Sequence, residues 1–109
     1  DNGMSHGALF GQLMRLSGAD ATIYPHAGGR FGFSLAQCRD IVAGCQGPLG
    51  ALAPILPTPG GGMTLARVPE LVQFYGREAM LLIGGDLVKQ GPDVAANAAG
   101  FVAAVAAAA

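Results

Sequence analysis

Three glycine clusters mark where this sequence could do chemistry with an anion: Gly28-Gly29, Gly60-Gly61-Gly62 and Gly84-Gly85. Each follows a short apolar run, at 21–24, 51–56 and 80–83. Glycine lacks a Cβ, so backbone N–H groups there can close on an anion. One such pair alone reads as a tight turn. Three pairs, all placed after a strand-like run, point to phosphate, because in parallel α/β folds ligands bind in the loops that follow strands. The first loop also carries His26 and Arg30. Arg30, set among glycines, suits an anion. His26 reads either as a substrate ligand or acid–base group, or as a loop histidine bonded to a carbonyl. Asp86, directly after the last pair, is either a metal ligand or a turn cap, and the cap is the preferred reading. His6 reads as structural.

Other chemistries lack their residues. No Gly-x-Gly-x-x-Gly follows a strand-like run, and Lys89 is not preceded by the glycine spacing of a Walker loop. No carboxylates cluster at metal-binding spacing, and no Ser-His-Asp set is supported, so no metal ligand and no catalytic residue is assigned within the chain. Cys38 and Cys45 would lie about 10 Å apart along a shared helix, too far for a disulfide. They read as reduced, buried thiols of a cytoplasmic protein.

The elements that must position these loops alternate. Ser5 caps a first helix that runs to Ser17 and stops at Gly18. Ser34 and Gln37 form a capping box for a second, with Leu35, Cys38, Ile41, Val42 and Cys45 on its inner face and Gly44 and Gly47 at its end. Pro69 suits the first turn of a third helix, closed by Gly76. Pro92 opens a last one, with Val94, Ala98, Phe101 and Val105 inward. The apolar runs end about thirty residues apart, the size of a βα unit. They do not alternate, which predicts strands covered on both faces. Pro54 is placed at the start of the second strand, and 57–62 is read as loop.

Composition sets the bounds. The chain has 109 residues, 51% hydrophobic and 12% charged, with a formal net charge of −1. That supports at most one domain and excludes a disordered chain. A single lysine, few aromatics and no Trp exclude a nucleic-acid footprint. The uncharged segment 94–109 is shorter than the ~20 residues that span a bilayer, so no membrane contact is expected. The amino-terminal residues lack a basic stretch followed by an apolar run, so no signal peptide is expected. So apolar a chain either buries more than its size permits or belongs to something larger.

Taken in order, Arg15-Leu16-Ser17-Gly18-Ala19-Asp20, Pro59-Gly60-Gly61-Gly62-Met63, Val68 to Gly76 and Leu82-Ile83-Gly84-Gly85 resemble the C-terminal part of the RuBisCO large chain. The resemblance covers nearly all the sequence. It implies an α/β fold, the portion of a (βα)8 TIM barrel from its fifth helix to its eighth, with residues 1–109 incomplete without upstream chain. It implies a phosphorylated substrate held by Gly61, Gly62, Gly84 and Gly85, with Gly60 standing where the family has a serine. The family's loop-6 lysine is absent, replaced by Gly28-Gly29-Arg30-Phe31-Gly32. The segment therefore resembles the RuBisCO-like proteins, which enolise or isomerise sugar-phosphate-like ketones without fixing CO2. The family's strand-6 histidine falls on Ile23, so His26 inherits no role from it. Asp86 replaces a third glycine. The resemblance further implies Mg²⁺, held upstream by a carbamylated lysine and carboxylates, an inactive segment when isolated, and a homodimer or higher homo-oligomer. The alternatives are an authentic carboxylase and a non-catalytic barrel fragment that acts only in assembly.

Overall fold

The computed structural model describes residues 3–28 and 32–109. Helix α1 begins as a π-helical turn, Gly7–Gln12, and continues as α-helical Leu13–Leu16. Ser5 caps it as expected, its hydroxyl accepting from Ala8 N–H at 3.1 Å. Strand β1, Ala21–Pro25, leads through the first glycine loop to helix α2, Leu35–Gln46. The capping box is present: Gln37 N–H donates to the Ser34 hydroxyl, and Ser34 N–H donates to the Gln37 side chain. Strand β2, Leu56–Gly60, pairs in parallel with β1, Ala21 opposite Leu56 and Pro25 opposite Gly60. A 3-10 turn, Leu65–Arg67, enters helix α3, Val68–Tyr75, with Pro69 in its first turn and Gly76 at φ 72° as its stop. Short helix α4, Gly85–Lys89, and helix α5, Val94–Ala108, complete the chain.

The second strand lies four to five residues later than its apolar signal places it. Residues 51–55 are irregular because Arg15 collects their carbonyls: its guanidinium donates to Leu52 O and Ala53 O, and also to Gly44 O and Gly47 O. The strand instead runs through Pro57-Thr58-Pro59-Gly60, which the residue types mark as loop. Proline is tolerated because the two faces of the ladder differ. Leu56 N–H donates to Asp20 O, and Gly60 O accepts from His26 N–H, on the β1 side. Pro57 and Pro59 turn their carbonyls the other way, so the N–H groups they lack would have faced away from β1.

The third expected strand runs along that other side. Met80 N–H donates to Pro57 O and Leu82 N–H to Pro59 O, both at 3.0 Å. No return bond from Pro59 to the Met80 carbonyl is possible, so residues 80–83 form a one-way edge rather than a regular ladder. The sheet of the described residues therefore has two strands.

Burial also departs from expectation. Thr22, Tyr24 and His26 are buried against the helices, while Ile23 between them is 63% exposed. Among the described residues β1 is covered on one face only. The core gathers Tyr24, Cys38, Ile41, Cys45, Ile55, Met63, Leu71 and Tyr75. Leu35, Val94 and Val105, placed inward by the sequence pattern, are exposed. Gly44 lies within α2 rather than at its end. Both cysteines are free and buried, and burial pushes the Cys45 thiol up to about 11, leaving it un-ionised.

Candidate phosphate cleft

Two of the three glycine clusters meet. Gly61, Gly62, Gly84 and Gly85 line one cleft of about 270 Å³ together with Thr64, Asp86 and Lys89. The turn after β2 needs its glycines: Gly61 has φ 79° and Gly62 φ 68°, a conformation that L side chains seldom adopt. Gly85 is different. It begins α4 without a positive φ, and a Cβ built on it meets nothing within 4 Å. Neither the backbone conformation nor packing among the described residues calls for glycine there.

Gly60 does not share this position. It ends β2 inside the sheet, with its missing side chain against Leu82, where a Cβ would stand 3.1 Å from Cδ2. Arg30 falls outside the described residues. Among the described residues, Lys89 at the end of α4 is the cation that lines the cleft. Asp86, read as a cap in preference to a metal ligand, joins α4 to the 3-10 turn: its carboxylate accepts from Leu65 N–H at 2.8 Å and, at the end of its own helix, from the Gln90 side chain at 3.0 Å.

His26 is held elsewhere. Its ring is buried toward α3, with Nδ1 2.8 Å from the Tyr75 hydroxyl and the Phe74 ring edge-on. A second cleft of about 300 Å³, lined by His26, Gly28, Leu35, Arg67, Glu70 and Phe74, lies on this side. Burial and then the nearby Arg67 charge push the His26 pKa below its usual 6.5, with Glu70 partly offsetting them. The folded protein thus favours neutral imidazole, whereas the unfolded chain binds a proton near pH 6.5. Stability from this group is complete above the unfolded value and is lost as pH falls below it. Denaturation midpoints measured from about pH 8 to pH 5 should fall in acid, and His26→Gln should flatten that slope. An unchanged slope would remove His26 as its source.

Burial also raises the Tyr24 and Tyr75 phenols far above their ordinary range, so both stay neutral. The Tyr24 hydroxyl is buried without a hydrogen-bond partner among the described residues.

Residue order concealed one further group. Arg67 donates from Nη1 to Gly62 O at 3.1 Å, from Nη2 to Ala27 O at 3.0 Å, and from Nε to Glu70 at 2.7 Å. It bridges the loop after β1 to the turn after β2. Its signal was an arginine just before a proline-started helix, which resembles an ordinary surface charge.

Comparison with known proteins places the segment. No family model matches the chain. A Rubisco-like protein of Rhodopseudomonas palustris superposes with a TM-score of 0.82 at 42% identity, covering 94% of this chain and 26% of that one. The 5-methylthioribulose-1-phosphate isomerase of Rhodospirillum rubrum is 49% identical over 102 residues, 94% of this chain and 27% of its own length. This chain is a relative of the RuBisCO-like proteins. A more distant relative, the 2,3-diketo-5-methylthiopentyl-1-phosphate enolase of Microcystis aeruginosa, is 28% identical over 97% of the chain. The chain spans about a quarter of the length of these RuBisCO-like relatives. Among its described residues no three His, Cys, Asp or Glu side chains group as metal ligands, so they do not by themselves fit a Mg²⁺ site. No helix among them is long and apolar enough to cross a membrane.

Proposed function

We propose that this segment is the phosphate-binding side of a RuBisCO-like enzyme that enolises or isomerises a phosphorylated ketose without fixing CO2. The observation that carries the reading is the convergence of Gly61, Gly62, Gly84 and Gly85 on one cleft beside Lys89. In βα barrels the loops after the last two strands, with a short extra helix, form such a site. In this reading the turn at Gly61-Gly62 follows the seventh strand, the 80–83 edge is the eighth with α4 as the extra helix, and β1 with α2 is the unit before them. The backbone N–H groups bind the phosphate, Lys89 adds charge, and the reacting carbons are held at a fixed distance from this anchor. Among relatives, the identity to the 5-methylthioribulose-1-phosphate isomerase favours isomerisation of a substrate of that class over enolisation. The proton-abstracting base and the Mg²⁺ that such enzymes use belong, in this proposal, to residues outside the segment. A homo-oligomer in the cytoplasm completes the proposal.

The test is Gly85→Val in the full-length protein. Because the site is open and the backbone ordinary, the melting temperature should stay within a few degrees, about the shift expected of a surface change. The KM for a phosphorylated ketose should rise at least ~10-fold, equivalent to about 1.4 kcal/mol of lost anchoring. Unchanged KM would remove the cleft from the phosphate site. Incorporation of labelled bicarbonate into product would overturn the non-carboxylating reading.

A further inference from the structure

The Arg67 guanidinium holds carbonyls from two loops at once, and one of those loops is the phosphate turn. Gly62 O, on the turn of positive φ, accepts from Nη1, and Ala27 O accepts from Nη2. A peptide group fixes its carbonyl and the following N–H in opposite directions. Holding the Gly62 carbonyl therefore also fixes the direction of the Met63 N–H, and Met63 lines the cleft. The other end of the bridge is equally defined. Gly28 has φ 88°, and a Cβ on it would stand 3.4 Å from the Arg67 Nη2. Glu70 accepts from Nε, leaving the planar group oriented by three acceptors in three segments. Arginine meets this need because its donors form a rigid fork, whereas lysine offers a single ammonium.

From this geometry we propose that Arg67 is a positioning residue that sets the phosphate turn and couples it to the loop after β1. The inference rests on the phosphate reading above. Order in one loop is transmitted to the other through the guanidinium: phosphate on the turn holds Gly62 in place, and Gly62 through Arg67 holds Ala27. The loop that carries His26 and Gly28 is thereby tightened when the anion binds.

The probe is inorganic phosphate added to the full-length protein. Its dissociation constant is read from phosphate-dependent melting, and amide hydrogen exchange is followed at 26–28. In the unaltered protein phosphate should slow exchange at 26–28. Arg67→Ala should weaken phosphate at least ~10-fold and abolish the slowing, and millimolar guanidinium should restore both. Arg67→Lys, which keeps the charge without the fork, should lose the slowing as well. It provides the same test if Arg67→Ala fails to fold. Loss of phosphate binding in Gly85→Val but not in the Arg67 variants overturns the role of Arg67 and leaves the phosphate site standing. Unchanged binding in Gly85→Val and both Arg67 variants overturns the phosphate reading itself. Weakened phosphate with no change in exchange at 26–28 overturns the coupling.

Discussion

Gly44→Val should leave little folded protein. Gly44 sits within α2 where α1 crosses it, and a Cβ there would run into the Gly7 carbonyl oxygen. The contact is mutual, since a Cβ on Gly11 would lie 2.5 Å from the Gly44 carbonyl carbon. Gly7 adds a bond across the crossing, its N–H donating to the Asp40 carboxylate at 2.7 Å. Backbone faces backbone, so no side chain can swing aside to make room. Ordinary overpacking costs about 1–3 kcal/mol, and a clash against main chain should exceed about 4 kcal/mol. Even Gly44→Ala should lower the urea midpoint clearly. A near-native midpoint for the valine variant would mean that the two helices do not cross at these glycines.

Arg15→Met ranks next. The arginine is 4% exposed, yet all the hydrogen bonds of its guanidinium go to main-chain carbonyls, those of Gly44, Gly47, Leu52 and Ala53. Methionine would fill much of the space but leave those four acceptors without their donor. An orphaned buried acceptor costs about 1–3 kcal/mol. Because three of the four are part-buried and can recruit water, the total should be about 4 kcal/mol rather than the full sum. Arg15→Lys should recover only part of this loss, because one ammonium cannot span the fork. Equilibrium unfolding of both variants decides it: a loss below about 1 kcal/mol would show that water replaces the guanidinium without penalty. Either substitution removes much of the 5–15 kcal/mol typical of a folded domain.

Both predictions concern residues whose importance the sequence pattern understated. Gly44 resembles a helix stop, because glycine so often follows the last turn. Only the arrival of α1 shows that it serves close approach instead. Arg15 sits among apolar positions of an amphipathic helix, where an arginine is usually solvated. Its burial depends on carbonyls contributed by 44–53, which no local window contains. The strand shift has the same origin. Residues 51–55 are apolar enough for a strand, but the Leu52 and Ala53 carbonyls are taken by Arg15, while prolines at 57 and 59 fit because the N–H groups they lack would face away from β1.

The resemblance to RuBisCO-like proteins was legible in residue order and is borne out by relatives over nearly the whole chain. The helix starts at Ser5, Ser34 and Pro69, the stop at Gly76 and the reduced cysteines were legible too, because capping, fixed φ and thiol spacing act within a few residues. The glycine clusters announced loops that could approach an anion. Tertiary structure decided which glycines share a cleft. It joined 61–62 to 84–85, left Gly60 in the sheet and turned His26 toward α3. It also recruited Lys89 and set Arg67 between two loops. Those outcomes depend on where chain segments far apart in sequence come to rest, and on which side of a strand a missing N–H falls. Local periodicity carries neither.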